Sequence, residues 1–171
     1  MQNRALQKIF DSQAIEYLLA AYCRALDSMD LDSIPEIFSE DCRVEFGPDP
    51  KLQTRGSGAL ALSLRRLWRW CRTSHHLSNV QIEFHNENSA SVSSYVLAWH
   101  EAADGSTATV FGRYEDRVEK IDGCWKISRR RMLMNGNDAG FKLDLYPAQR
   151  KLPPDDWVAP DMTSSNRKSA N

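Results

Sequence analysis

Two side chains in this sequence are of the type that moves protons at neutral pH, Asp27 and His75. Asp27 ends the stretch Tyr22-Cys23-Arg24-Ala25-Leu26-Asp27, and His75 opens a strand in Arg72-Thr73-Ser74-His75-His76-Leu77-Ser78-Asn79. A carboxylate beside an imidazole fixes the ring's tautomer and stabilises the imidazolium, while the imidazole takes the proton. Spacing along the chain does not itself bring the two together. His76 is a rival for His75. On strict alternation His76 shares a strand face with Ser78, Val80 and Ile82, and His75 shares one with Leu77 and Asn79.

The elements that must position these residues are legible as periodicities. Ile15, Leu18, Leu19, Tyr22, Leu26 and Met29 recur at helical spacing, which predicts a helix from about Ser12 to Met29 with one buried face. A short second helix carries Pro35 in its first turn, and Cys42 to Phe46 reads as a strand. A third helix is predicted from about Gly58 to Trp70. Val80, Ile82 and Phe84 then alternate with polar residues, and further strands are predicted over Ala90–Glu101, Thr107–Lys120 and Cys124–Met134. Asp122-Gly123 marks a tight hairpin. Helices followed by a meander of long strands predict an α+β fold with helices packed on one face of a curved antiparallel sheet. One domain is expected over residues 1–141. Residues 142–171 are expected to form an apolar C-terminal arm and then a disordered tail.

Composition narrows the function. The chain has 171 residues and a net charge of −1, a balance that argues against a general nucleic-acid binder. No apolar run is long enough to span a bilayer, and Met1 to Lys8 lacks a signal-peptide core, so a soluble cytoplasmic protein is expected. Cys23, Cys42, Cys71 and Cys124 are scattered without zinc-like spacing, so reduced thiols and no metal site are expected. The arginine run Arg65, Arg66, Arg69 and Arg72 reads as a solvated helix face whose stems cover tryptophan. His85 and His100 fall near turns or strand ends and are read as exposed.

Three strings, Leu26-Asp27-Ser28-Met29-Asp30-Leu31-Asp32, Arg72-Thr73-Ser74-His75 and Lys120-Ile121-Asp122-Gly123-Cys124-Trp125-Lys126, resemble the SnoaL-like branch of the nuclear transport factor 2-like superfamily. Within that branch the chain resembles scytalone dehydratase, the bile acid 7α-dehydratases and the hexachlorocyclohexane dehydrochlorinases. The resemblance implies a cone-shaped sheet around a pocket, with His75 as general base, Asp27 orienting it, and no cofactor. Tyr22 lines up with a tyrosine near the bile acid dehydratase site. Scytalone dehydratase has two tyrosines where this chain has Leu26 and Phe46, and a second histidine where this chain has Val96. The bile acid enzymes carry an aspartate near Ala98 and an arginine near Met134. The pocket is therefore expected to be more apolar than theirs.

The expected activity is that of a cofactor-independent dehydratase-type lyase or isomerase on a hydrophobic, cyclic small molecule. The alternative is a non-catalytic ligand-binding domain or a structural small subunit of a ring-hydroxylating dioxygenase. Besides Asp27 and His75, residues expected to line the pocket are Tyr22, Phe46, His76, Tyr95, Trp99, Arg131, Met132 and Met134, with Phe111 a further candidate. Large aromatics on strands are also ordinary sheet packing. The family resemblance further implies a homo-oligomer, a trimer or dimer, assembled through the outer sheet face and terminal arms.

Overall fold

The computed structural model describes residues 2–138 and Tyr146. The expected arm and tail therefore lie, apart from Tyr146, outside the described residues. Helices α1 (Gln2–Ser28), α2 (Ile34–Ile37) and α3 (Ser57–Leu64) pack against a curved six-stranded sheet. Its strands are β1 (Phe38–Glu45), β2 (Gln53–Arg55), β3 (Arg72–Asn86), β4 (Ser89–Glu101), β5 (Thr107–Ile121) and β6 (Cys124–Asn137), in the order β2-β1-β6-β5-β4-β3. All neighbours are antiparallel except β1 and β6, which run parallel. This is the expected α+β architecture. Among the described residues no helix is long and apolar enough to cross a membrane.

Helix α1 starts about ten residues earlier than its apolar stripe. Leu6, Ile9 and Phe10 are exposed on that extension, and burial begins at Asp11 and Ile15. The helix ends in a Schellman turn. Asp30 N–H donates to Ala25 O (2.9 Å) and Met29 N–H to Leu26 O (3.2 Å), with Met29 at φ +55°. This stop leaves Asp27 in the last turn. A carboxylate there opposes the helix dipole, so it requires compensating donors. The third predicted helix stops early: α3 gives way to a tighter 3-10 turn over Arg65–Arg69.

Strand β3 carries the feature that decides which histidine faces inward. Ser78 pairs with Tyr95 and Gln81 with Ser93, so β3 spends one extra residue there. Asn79 absorbs the bulge at φ +52°, a conformation asparagine tolerates better than most residues. The inward face therefore changes phase. It reads His75 and Leu77 before the bulge, then Val80, Ile82 and Phe84 after it, and these four apolar residues pack on the core.

A second close approach lies at Gly112 in β5. A Cβ there would stand 2.7 Å from Met132 Cε, 3.0 Å from Leu133 O and 3.3 Å from Val96 Cγ1. Glycine leaves room for Met132 of β6 and Val96 of β4 to approach the β5 backbone from either side.

Candidate active site

Asp27 and His75 meet. His75 Nδ1 donates to Asp27 Oδ1 at 2.6 Å. The His75 backbone N–H donates to Oδ2 at 2.9 Å, and Thr73 Oγ1 donates to Oδ1 at 2.9 Å. These bonds supply the donors that the helix end lacks. Burial alone would push the Asp27 carboxyl up, but the side-chain and backbone bonds from His75 and the Thr73 hydroxyl outweigh it and hold the group below its usual range. An ionised Asp27 fixes Nδ1 as the protonated nitrogen of a neutral His75, which leaves Nε2 as a basic lone pair. The His75 side chain is 5% exposed and that of Asp27 29%, so the carboxylate keeps partial contact with water.

His75 lines a cavity of about 190 Å³ inside the cone. Its wall is formed mainly by Tyr22, Phe46, Leu64, Val110, Tyr114 and Met132. Asp27 is not on that wall; it stands behind the imidazole, in an open groove between α1 and β3 that His76, Leu77 and Val80 also line. Larger hollows, of about 520 and 940 Å³, lie over Glu83, Arg117 and Arg129 and beside the start of α1, and neither touches the pair.

A second imidazole completes the constellation. The expectation that His100 is exposed needs correction. His100 is 7% exposed and lines the cavity, with its ring centroid 5.6 Å from that of His75. The two are diagonal neighbours on one sheet face, since His75 pairs with Ala98 and His100 with Thr73. The signal was present in β4, where Val92, Val96, Ala98 and His100 all fall on the buried face. His100 Nδ1 lies 3.3 Å from Ala108 O, so that nitrogen carries the proton and Nε2 is an acceptor. Burial, then the neighbouring His75, pulls the His100 pKa down and keeps the ring neutral at pH 7.

The other predicted site residues divide. Tyr22, Phe46 and Met132 stand on the cavity wall. Tyr95 and Trp99 do not: with Leu97 they occupy the opposite face of β4, and Phe111 is likewise outward on β5. His76 points out and bonds Ser74 Oγ at 2.8 Å. Met134 packs against the core edge without reaching the wall. Arg131 also faces out, 3.9 Å from Glu45 and over the Tyr146 ring at 4.3 Å. Register instead turns Arg130 inward. It is fully buried and bonds Asp116 twice, through Nε to Oδ1 (2.8 Å) and Nη2 to Oδ2 (2.6 Å). Its guanidinium lies between the rings of Tyr22 (4.2 Å) and Tyr114 (4.1 Å), which seal it from the cavity. The arginine run is not wholly solvated. Arg65 covers Trp68 as expected, but Arg66 and Arg69 line the cavity. Among the described residues, no three His, Cys, Asp or Glu side chains converge as a metal site would require.

A half-open α+β cone, with a carboxylate-held imidazole on the wall of an apolar cavity, defines a class of small pocket domains. The SnoaL-like domain profile matches residues 7–131, and the chain belongs to that family. A Novosphingobium aromaticivorans protein provisionally named scytalone dehydratase is 29% identical, with a TM-score of 0.81 over 89% of this chain and 100% of that one. Another from the same organism, provisionally named an aromatic ring hydroxylase, is 26% identical, with a TM-score of 0.69 over 75% and 91%. The fold also matches hexachlorocyclohexane dehydrochlorinase LinA-type3 of Novosphingobium barchaimii at 22% identity, with a TM-score of 0.68 over 81% and 97%. No curated protein matches the sequence significantly.

Proposed function

We propose that this protein is a cofactor-independent lyase or isomerase acting on a cyclic, largely hydrophobic small molecule. The observation that carries the reading is the 2.6 Å bond between His75 Nδ1 and an ionised Asp27, made where His75 lines an open cavity. His75 Nε2 takes a proton from a carbon next to an activating group such as a ketone. The C–H electron pair becomes a C=C bond, and the leaving group on the next carbon departs with its own pair; a hydroxyl takes the proton back from the His75 imidazolium and leaves as water, which restores the neutral ring. Where no leaving group is present, the proton returns elsewhere and the outcome is isomerisation. Asp27 holds the imidazole and stabilises its charged form. His100 Nε2 accepts a hydrogen bond from a hydroxyl of the substrate and so orients it. A cavity of about 190 Å³ is below the usual range for drug-sized ligands and suits one or two rings. The dehydratase and dehydrochlorinase names of the structural neighbours support the same class of reaction.

3-Hydroxycyclohexanone tests the reading, because loss of water gives an ultraviolet-absorbing enone and enolisation alone exchanges its ring protons with D₂O. Catalysed dehydration or exchange that disappears in His75→Asn is expected. Equal rates in both proteins, or no catalysis across a panel of hydroxylated cyclic ketones, would return the binding-domain reading. The proposal includes a second copy of the chain against the outer sheet face, where Tyr95, Leu97 and Phe111 are each about 40% exposed. Sedimentation of the full chain is expected to show a dimer or trimer, and a monomer at micromolar concentration would remove that part.

A further inference from the structure

The arginine run is the sequence feature that this reaction leaves unused. Arg66 and Arg69 are the two permanently charged side chains on the cavity wall, and no Asp or Glu stands there with them. The Arg66 guanidinium lies over the Phe46 ring at 5.2 Å and donates through Nη1 to the Ser63 carbonyl (2.9 Å) and hydroxyl, both neutral acceptors. Arg69 lies over Trp70 at 5.2 Å. Among the described residues neither forms an ion pair, whereas Arg72 is matched by Glu101 and buried Arg130 by Asp116.

Unpaired arginines on an open surface are ordinary. These two line one largely apolar cavity, Arg66 half-buried within it and Arg69 exposed at its edge. Burial pulls the Arg66 pKa down and the Arg69 charge adds to that, against an opposing effect of Tyr22. A partly desolvated cation and a second one at the cavity edge thus stand near each other with no counter-charge on the wall, an arrangement that an incoming anion relieves. The wall is continuous with the proton-transfer pair. Trp70 lies 5.1 Å from His100, and His100 lies 5.6 Å from His75, centroid to centroid.

We propose that the cavity takes a ring compound bearing an anionic oxygen group, carboxylate or phosphate. The anion seats against Arg66 and Arg69, and the ring lies on Phe46, Leu64 and Met132. The anion is a binding handle at one end of the wall. The reacting carbon lies at the other end, at His75, and that clause alone rests on the proton-transfer reading. Guanidinium groups suit this task because their donors match the spacing of paired oxygens. Arg66 is partly withdrawn from water, so a matched charge contributes more there than at an open surface.

Calorimetric titration with benzoate, phenyl phosphate and benzamide tests the idea, since the three differ in the headgroup on one ring. At least one anion is expected to bind about tenfold or more tightly than neutral benzamide. The tighter of the two identifies the headgroup as carboxylate or phosphate. The preference is expected to shrink in Arg66→Gln and Arg69→Gln, to vanish in the double variant, and to survive largely in Arg66→Lys. His75→Asn is expected to keep it, so a failure of the catalytic reading is distinguishable from a failure of this one. Benzamide binding as tightly as the anions, a preference that persists in the double glutamine variant, or no binding by any of the three would overturn the proposal.

Discussion

The molecule holds two carboxylate–nitrogen pairs with the same 2.6 Å contact and opposite surroundings. Asp27 and His75 meet at the end of α1, one side chain 29% exposed and the other lining a cavity. Asp116 and Arg130 meet inside the sheet with no exposure at all, caged by Tyr22, Phe38 and Tyr114. In the buried pair, desolvation acts against the Arg130 charge, but the Asp116 charge and hydrogen bonds outweigh it and push the pKa further up. Arg130 therefore keeps its charge at any ordinary pH. The partner in the first pair is an imidazole, which can both take and release a proton, as a guanidinium cannot. Access and the kind of nitrogen partner, rather than contact distance, separate a group suited to moving protons from one that holds a sheet together.

The largest difference between the pairs should appear in rate. Asp27→Asn keeps the shape but presents an amide N–H toward His75 Nδ1. This favours the tautomer with the proton on Nε2, where the base is needed. A loss of about 10²–10⁴ in kcat/KM is expected with little change in fold. Circular dichroism and 3-hydroxycyclohexanone turnover read the two effects separately. Activity within threefold of the parent would mean that His75 does not act through Asp27.

The buried pair should reverse that pattern. Asp116→Asn leaves a guanidinium buried with no counter-charge, and Nη1 already has no partner among the described residues. A stability loss of about 3–5 kcal/mol is expected in urea unfolding. Arg130→Met combined with Asp116→Leu should recover much of it, because a well-packed apolar pair avoids the desolvation cost. A double variant as unstable as Asp116→Asn would show that the cage depends on the charge itself.

A smaller, pH-dependent difference sharpens the comparison. The folded His100 pKa lies below the ordinary 6.5 because the ring is buried, so the unfolded chain takes up a proton that the folded chain resists. Stability should therefore fall as pH drops below about 6.5 toward the folded value, and His100→Gln should flatten that arm. Asp27 acts in a lower window. Its folded pKa is below 3.8, so its stabilisation is present above that value and is lost as pH falls through the folded pKa. Asp11, also depressed through Lys120 and Trp125 against the effect of burial, shares this window. Urea midpoints against pH for the parent, His100→Gln and Asp27→Asn separate the two arms. An unchanged slope between pH 5 and 6.5 in His100→Gln would remove the imidazole from the account.

What could be read from the sequence follows how local each signal is. Apolar periodicity was enough for α1 and the long strands, and Asp122-Gly123 for the β5–β6 hairpin, where both residues take positive φ. The meeting of Asp27 with His75 rested on family strings, because no local pattern joins a helix end to a distant strand. The phase of β3 was not readable, since nothing in Ser78-Asn79-Val80 declares a bulge. The faces of β4 were misjudged for a different reason. Its outward face carries Tyr95, Leu97 and Trp99 and is more hydrophobic by residue type than the inward Val92, Ser94, Val96, Ala98 and His100. Hydrophobicity names the buried face only when the other face is left to water.

The smallest expected effect tests that register directly. His76 is the chemical equal of His75, one residue away, and without the bulge it would share a face with Val80 and Ile82. With the bulge at Asn79 it faces water and bonds only Ser74 Oγ among the described residues. His76→Ala should change stability by less than about 0.5 kcal/mol and leave turnover of 3-hydroxycyclohexanone within twofold. A tenfold loss would mean that β3 sits one residue out of the register in which His75 pairs with Ala98. Asp27 would then have to reach a different imidazole, and Leu77, Val80, Ile82 and Phe84 could not all pack inward. The extra residue at Asn79 is what allows one strand to present His75 to the cavity and still bury those four side chains.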